Sequence, residues 1–190
     1  MAEEKSHVVF LVEDDKDHAE LVSRSFGNSR NIKELVIADS VSSAIAFLQK
    51  ASPSVILCDY LLPDGTGLDI LHHYIEGNRL APPFILLTSQ GDEKVAVQAI
   101  KAGAIDYIVK TETSLLSLPD VCRAVIREHE LRQEKAKAMV ELSEKQKLNE
   151  TLLYALPYPA LLIRGGDRVI GSSAEFVGDY RFGQLPKCMI

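Results

Sequence analysis

Short apolar runs alternate with helical patterns from residue 7 to residue 110 of this 190-residue chain. The runs lie near His7–Val12, Glu34–Ala38, Ser54–Asp59, Pro83–Thr88 and Ile105–Val109. They are apolar almost throughout and do not alternate with polar residues, the pattern of strands buried on both faces. Between them, apolar positions recur at helical spacing. Leu21, Val22, Ser25 and Phe26 share a face ahead of Gly27, and Val41, Ala44, Ile45 and Leu48 share one behind a Ser40 cap. Leu68, Leu71 and Ile75 form a third face with Gly77 beyond, and Ala96, Ala99 and Ile100 a fourth before Gly103. Five strand–helix units in a row predict an α/β fold, a doubly wound parallel five-stranded sheet with right-handed crossovers.

The fifth helix is expected to be different. Ser117 can cap it, Pro119 fits its first turn, and Asp120 suits the positive end of its dipole. No glycine or proline then interrupts the chain until Pro157. A helix of ~38 residues would run ~57 Å at 1.5 Å per residue. Val121, Cys122, Val125 and Ile126 can pack it on the sheet, whereas the part beyond Arg127 is rich in Glu, Lys and Arg. Met139, Leu142, Asn149, Leu153 and Leu156 trace an imperfect heptad seam, so this segment is expected to be a dimeric coiled coil. After Pro157-Tyr158-Pro159 come a strand-like Ala160–Ile163, a turn at 164–167 and a return strand at Arg168–Ile170. The expected division is residues 1–126 as the α/β domain, 127–156 as a helical linker, and 157–190 as a small β-containing tail.

In a parallel sheet the carboxyl-terminal strand ends share one rim, and ligands bind there. Here those ends carry Glu13-Asp14-Asp15, Asp59, Thr88-Ser89 and Lys110. Acids, a hydroxyl and a lysine brought together suit a divalent cation and a phosphoryl group. Composition narrows the function further. Net charge −6 and pI near 5.4 argue against a nucleic-acid binder. Three scattered cysteines indicate structural thiols in a reducing compartment. The charged start, Met1-Ala2-Glu3-Glu4-Lys5, is not a signal peptide, and no apolar run approaches a membrane span. A soluble, cytoplasmic chain is expected.

The motifs Val9-Phe10-Leu11-Val12-Glu13-Asp14-Asp15, Leu57-Cys58-Asp59-Tyr60-Leu61-Leu62-Pro63-Asp64-Gly65, Leu86-Leu87-Thr88-Ser89 and Asp106-Tyr107-Ile108-Val109-Lys110 resemble the receiver domain of bacterial response regulators. The likeness covers roughly residues 6 to 125. It implies the flavodoxin-like (βα)5 fold, and it implies Asp59 as the acceptor of a phosphoryl group from a sensor histidine kinase or phosphotransfer protein. By the same resemblance, Mg²⁺ is bound by Asp14, Asp59 and the backbone carbonyl of Leu61, with Glu13 acting mainly through water. Thr88 and Lys110 contact phosphoryl oxygens, and Tyr107 swings inward as a switch when Thr88 moves. Asp15 is expected to cap the first helix. The protein would then be a signalling switch, not an enzyme of metabolic turnover, passing its state to a homodimer through the long helix. Thr111 stands where the family usually has proline, so the loop after Lys110 is expected to be looser or to take another path. Leu61 and Gln90 flank the site where this family tunes access of hydrolytic water, and an apolar Leu61 would shield the acyl phosphate.

Several signals point elsewhere. His129-Glu130-Leu131-Arg132 resembles the start of a histidine-kinase phosphoacceptor box, but Gln133-Glu134 ends the match. His18, His72 and His73 are expected to be surface residues, and Gly65-Thr66-Gly67 a turn, not a nucleotide loop. Residues 148–176 resemble the opening of a PAS domain. Two alternatives stay open. One is a small aspartyl-phosphate phosphatase or phosphotransferase, which would need an acid where Leu61 stands. The other is an interaction module whose site is inactive.

Overall fold

The computed structural model describes residues 6–27, 32–75, 81–89, 93–155, 161–164 and 168–172. Strands β1 (His7–Val12), β2 (Ile32–Ala38), β3 (Val55–Asp59), β4 (Phe84–Thr88) and β5 (Asp106–Val109) form one parallel sheet. Its order is β2-β1-β3-β4-β5. The helices between them are α1 (Lys16–Phe26), α2 (Val41–Leu48), α3 (Gly67–Ile75) and α4 (Glu93–Ala102). The last, α5, runs from Glu112 to Ala155. A two-residue hairpin, Leu61–Leu62 against Gly65–Thr66, follows β3.

Alternation along the central strands divides the core. Phe10, Val12, Ile56, Cys58, Phe84 and Leu86 pack beneath α2, α3 and α4. Val9, Leu11, Val55, Leu57, Ile85 and Leu87 pack beneath α1 and α5. Each of these side chains is out of water, which stabilises the fold by roughly 1.5–3 kcal/mol apiece for the larger ones. The expectation of strands buried on both faces therefore holds for β1, β3 and β4. It does not hold at the edges, where β2 and β5 are largely half-buried or exposed, because each has a neighbour on one side alone.

The expected caps are present at α1 and α2. Asp15 accepts from the backbone N–H of Asp17 and His18, and Ser40 from that of Ser43. Gly103, at φ 106°, ends α4 in the left-handed conformation, where its N–H donates to Ile100 O. The face of α4 differs from the expected one. Val95 and Ala99 are buried and Ile100 is 51% exposed, because the 95/99 pair, one turn apart, faces the sheet. The start of α5 also differs. Thr111, not Ser117, caps it: Thr111 N–H donates to Ser114 Oγ (2.8 Å) and Ser114 N–H to Thr111 Oγ1 (3.1 Å). Pro119 consequently lies inside the helix, not in its first turn. A proline there costs roughly 3 kcal/mol. Burial of Leu115 and Leu118, at 2% and 0% exposure, offsets it.

The chain divides into two compact units, the first ending at Gln133. In the second unit the described side chains of α5, Glu134 to Leu152, are all exposed. The unit also holds an antiparallel hairpin, β6 (Leu161–Arg164) with β7 (Arg168–Ser172), close to the two strands expected there. Leu156, like most of the tail, lies outside the described residues. No helix of the described residues is long and apolar enough to cross a membrane.

Candidate functional site

Parallel register places the expected residues on one rim. Asp59 is the last residue of β3 and pairs with Leu87, and Thr88 is the last of β4 and pairs with Val109. Backbone bonds extend the ladder past the strand ends: Glu13 N–H donates to Ala38 O (2.9 Å) and Lys110 N–H to Thr88 O (2.7 Å). Residues 97 positions apart in sequence thereby meet.

At the centre is a buried ion triad. The Lys110 ammonium lies 2.7 Å from Asp59 Oδ2 and 2.6 Å from Glu13 Oε2, and the three side chains are 2%, 10% and 0% exposed. It donates to Glu13 Oε1 at 2.9 Å and to Asp59 Oδ2. The closer oxygen, Glu13 Oε2, receives no hydrogen bond despite its burial. Burial pushes the Glu13 carboxyl above its ordinary value of 4.5, the pull of Lys110 opposes this, and the charge of Asp59 adds to it. One lysine thus faces two buried acids, with exposed Asp14 beside them.

That excess of negative charge fits a divalent cation. Glu13, Asp14 and Asp59 each bring one carboxylate oxygen within 4.8 Å of the others. All are hard oxygen donors of the kind Mg²⁺ takes while keeping several waters. Glu13 Oε2, buried and 2.6 Å from the Lys110 ammonium, accepts no hydrogen bond and so has lone-pair capacity left for a further donor or a metal ion.

The surroundings hold the site in place. Gly67 N–H donates to Tyr60 O (2.9 Å). A Cβ on Gly67 would come within 2.5 Å of Asp59 O, so the loop closes against Asp59 because glycine stands there. Asp64 reaches across to α2, accepting from Val41 N (2.7 Å), Ser42 N (2.9 Å) and Ser42 Oγ (2.7 Å). These bonds, the hydroxyl of Ser42 first, hold its carboxyl below the ordinary value. The Cys58 thiol, beside Asp59, is pushed well up by burial and then by the charge of Asp59.

The other expected residues fall as follows. Thr88 is 5% exposed, and Tyr107 is half-buried against the cluster that includes α3 and α4. Leu61 is 63% exposed, and Gln90 lies outside the described residues. Asp15 caps α1, as expected, and its carboxyl is held low by the His18 backbone N–H. His72 and His73 are exposed on α3. His129 is half-buried, with Nε2 2.7 Å from Gln133 Nε2, and burial lowers its pKa. Two neighbours of the site were not expected. His18 places Nδ1 3.6 Å from Glu13 Oε1, and Asp64 ties the loop after Asp59 to α2. The first had a signal: an Asp15 cap puts residue 18 in the first turn of α1, where side chains lean back toward the helix start.

The chain is similar to known proteins in sequence and fold. The family model described as the response regulator receiver domain matches residues 9–117. The methanogenesis regulatory protein FilR1 of Methanothrix harundinacea (strain 6Ac) is 37% identical over 131 residues, which cover 67% of this chain and 29% of that protein. The chain spans less than half the length of the curated relatives it matches, 29% to 45%. The structure titled as the Mn²⁺-bound form of response regulator Rcp1 aligns with TM-score 0.54 and 27% identity, covering 60% of this chain and 88% of that one. A receiver domain protein from Methanospirillum hungatei JF-1 aligns with TM-score 0.59 over 67% of this chain and 99% of its own, and at 21% identity it shows the fold. The family match stops at residue 117, and a PAS-like opening at residues 148–176 is not supported.

Proposed function

The chain belongs to the response regulator receiver domain family, and from that premise we propose that it is a phosphorylation-driven switch with Asp59 as its acceptor. The observation that carries the reading is the largely buried Lys110 ammonium, seated 2.7 Å from Asp59 and 2.6 Å from Glu13. A phosphohistidine on a sensor kinase or phosphotransfer protein supplies the phosphoryl group. A carboxylate oxygen of Asp59 attacks phosphorus, the P–N bond breaks, and its electron pair stays on the imidazole, which takes a proton. The product is an acyl phosphate. Lys110 turns from the carboxylate to one phosphoryl oxygen and Thr88 donates to another, contacts that strengthen as charge spreads in the transition state. Asp14, Asp59 and the Leu61 carbonyl would hold Mg²⁺, and Glu13 would act through water. The ion's part is to neutralise the carboxylates and the phosphoryl oxygens.

The change leaves the site through Thr88, Tyr107 and α5. Phosphorylation biases a pre-existing equilibrium between two states of that face. The exposed stretch of α5 bears Met139 and Leu142, at 63% and 58% exposure, on the seam continued by Asn149, Leu153 and Leu156. A second copy of the chain covers it as a parallel coiled coil. The phosphatase alternative finds no acid two residues after Asp59, where Leu61 stands.

The test is incubation with Mg²⁺ and acetyl phosphate or beryllofluoride, followed by sizing. Wild type becomes modified and its dimer fraction rises, whereas Asp59→Asn does neither. If the two proteins behave alike, the reading fails.

A further inference from the structure

Glu13 is fully out of solvent, and Lys110 donates its one side-chain hydrogen bond among the described residues. On the reading above, Lys110 leaves for the phosphoryl group. A water on the metal serves one oxygen of the buried Glu13 carboxylate, and the other, once Lys110 has left it, is costly to leave without a donor. Another nitrogen is at hand. His18 Nδ1 is buried, has no hydrogen-bond partner, and lies 3.6 Å from Glu13 Oε1. It also lies 3.8 Å from Asp15 Oδ2, but that carboxylate is half in solvent and its other oxygen is occupied in capping α1. The cap fixes the backbone of His18 in the first turn, so a small rotation of the ring suffices to bring Nδ1 to about 2.8 Å from Glu13.

We propose that His18 is a positioning residue of this site: its Nδ1–H takes over the buried Glu13 carboxylate when Lys110 turns to the phosphoryl group. The inference rests on Asp59 phosphorylation. It assigns His18 no contact with the phosphoryl group itself. A neutral imidazole protonated on Nδ1 is donor enough, and Nε2 is left facing solvent. His18 then favours the phosphorylated state selectively, since in the free state its nitrogen stands beyond hydrogen-bond distance.

The experiment measures beryllofluoride binding in Mg²⁺ by the full chain, with 15N spectra of the histidine rings. Wild type should bind, and the His18 ring should pass to an Nδ1-protonated, hydrogen-bonded form on binding. His18→Leu should weaken binding about tenfold, the loss of one charge-assisted bond. His18→Asn, whose amide nitrogen occupies nearly the place of Nδ1, should stay within about threefold of wild type. Circular dichroism checks that both variants are folded. Equal binding by wild type and His18→Leu, or an unchanged His18 ring spectrum, overturns the proposal while leaving the Asp59 reading intact. Failure of wild type to bind at all, like Asp59→Asn, overturns both.

Discussion

Replacing Gly67 by alanine adds one carbon at the tightest point of the site. That Cβ would lie 2.5 Å from Asp59 O, 2.8 Å from Leu86 Cδ1 and 3.0 Å from Cys58 Sγ. Carbon and oxygen rest in contact near ~3.3 Å, so the first overlap is about 0.8 Å. The oxygen belongs to the backbone at the end of β3, whose neighbours are hydrogen-bonded into the sheet, and it cannot step aside alone. Leu86 and Cys58 are fully buried core residues. Overpacking of this kind costs typically 1–3 kcal/mol, and alanine's better helix propensity returns roughly 0.5–1 kcal/mol at the start of α3. A net loss of about 1 kcal/mol would lower Tm by about 4 °C in a domain of this size. Gly65→Ala is the control. Its Cβ would meet the side-chain ends of Asp69 and Val41 at 3.0 and 3.1 Å, and these can yield. Denaturant and thermal unfolding followed by circular dichroism compare the two. The reasoning is refuted if Gly67→Ala falls within about 0.5 kcal/mol of wild type, the usual scatter of neutral substitutions, or if Gly65→Ala is as damaging.

Because the Glu13 carboxyl titrates above 4.5, its ionisation opposes folding, and that contribution to stability is lost as pH rises through the folded value. In metal-free buffer at neutral pH, Glu13→Gln should therefore unfold at higher urea than wild type, and the gap should close as pH falls to 4.5. A less stable variant at neutral pH would contradict this. The Asp64 carboxyl is held below 3.8, so the opposite sign applies. The Tm advantage of wild type over Asp64→Ala should be constant above that pH and shrink as pH falls through the folded value, and a difference independent of pH would exclude the clamp. Thr111→Ala should cost about 1 kcal/mol through loss of the α5 cap, with Ser114→Ala nearly as harmful and the double variant less than additive, as measured by urea unfolding.

The fold was legible because its central strands are buried on both faces and write that fact locally, in Val9-Phe10-Leu11-Val12 and Phe84-Ile85-Leu86-Leu87. The site was legible because it stands at strand ends, where β1, β3, β4 and β5 bring Glu13, Asp59, Thr88 and Lys110 together whatever lies between them. The less legible features depend on relations between elements. Ser117, Pro119 and Asp120 form a convincing helix start by themselves, and the depth at which Leu115 and Leu118 are buried decides against them. Asp64 looks like any turn acid until α2 is seen to begin at its carboxylate. His18 looks like a solvated histidine until the Asp15 cap turns it back toward Glu13.

Lys110 and Thr111 are adjacent in the chain, so the ammonium that grips the acids is covalently next to the residue that opens the 44-residue helix. Ser114 Oγ binds back to Val109 O at 2.6 Å, bracing the joint from the strand side. Such a junction has no slack. A shift of the Lys110 backbone would reach the first turn of α5 across a single residue, Thr111, whose amide and hydroxyl are already bonded to Ser114.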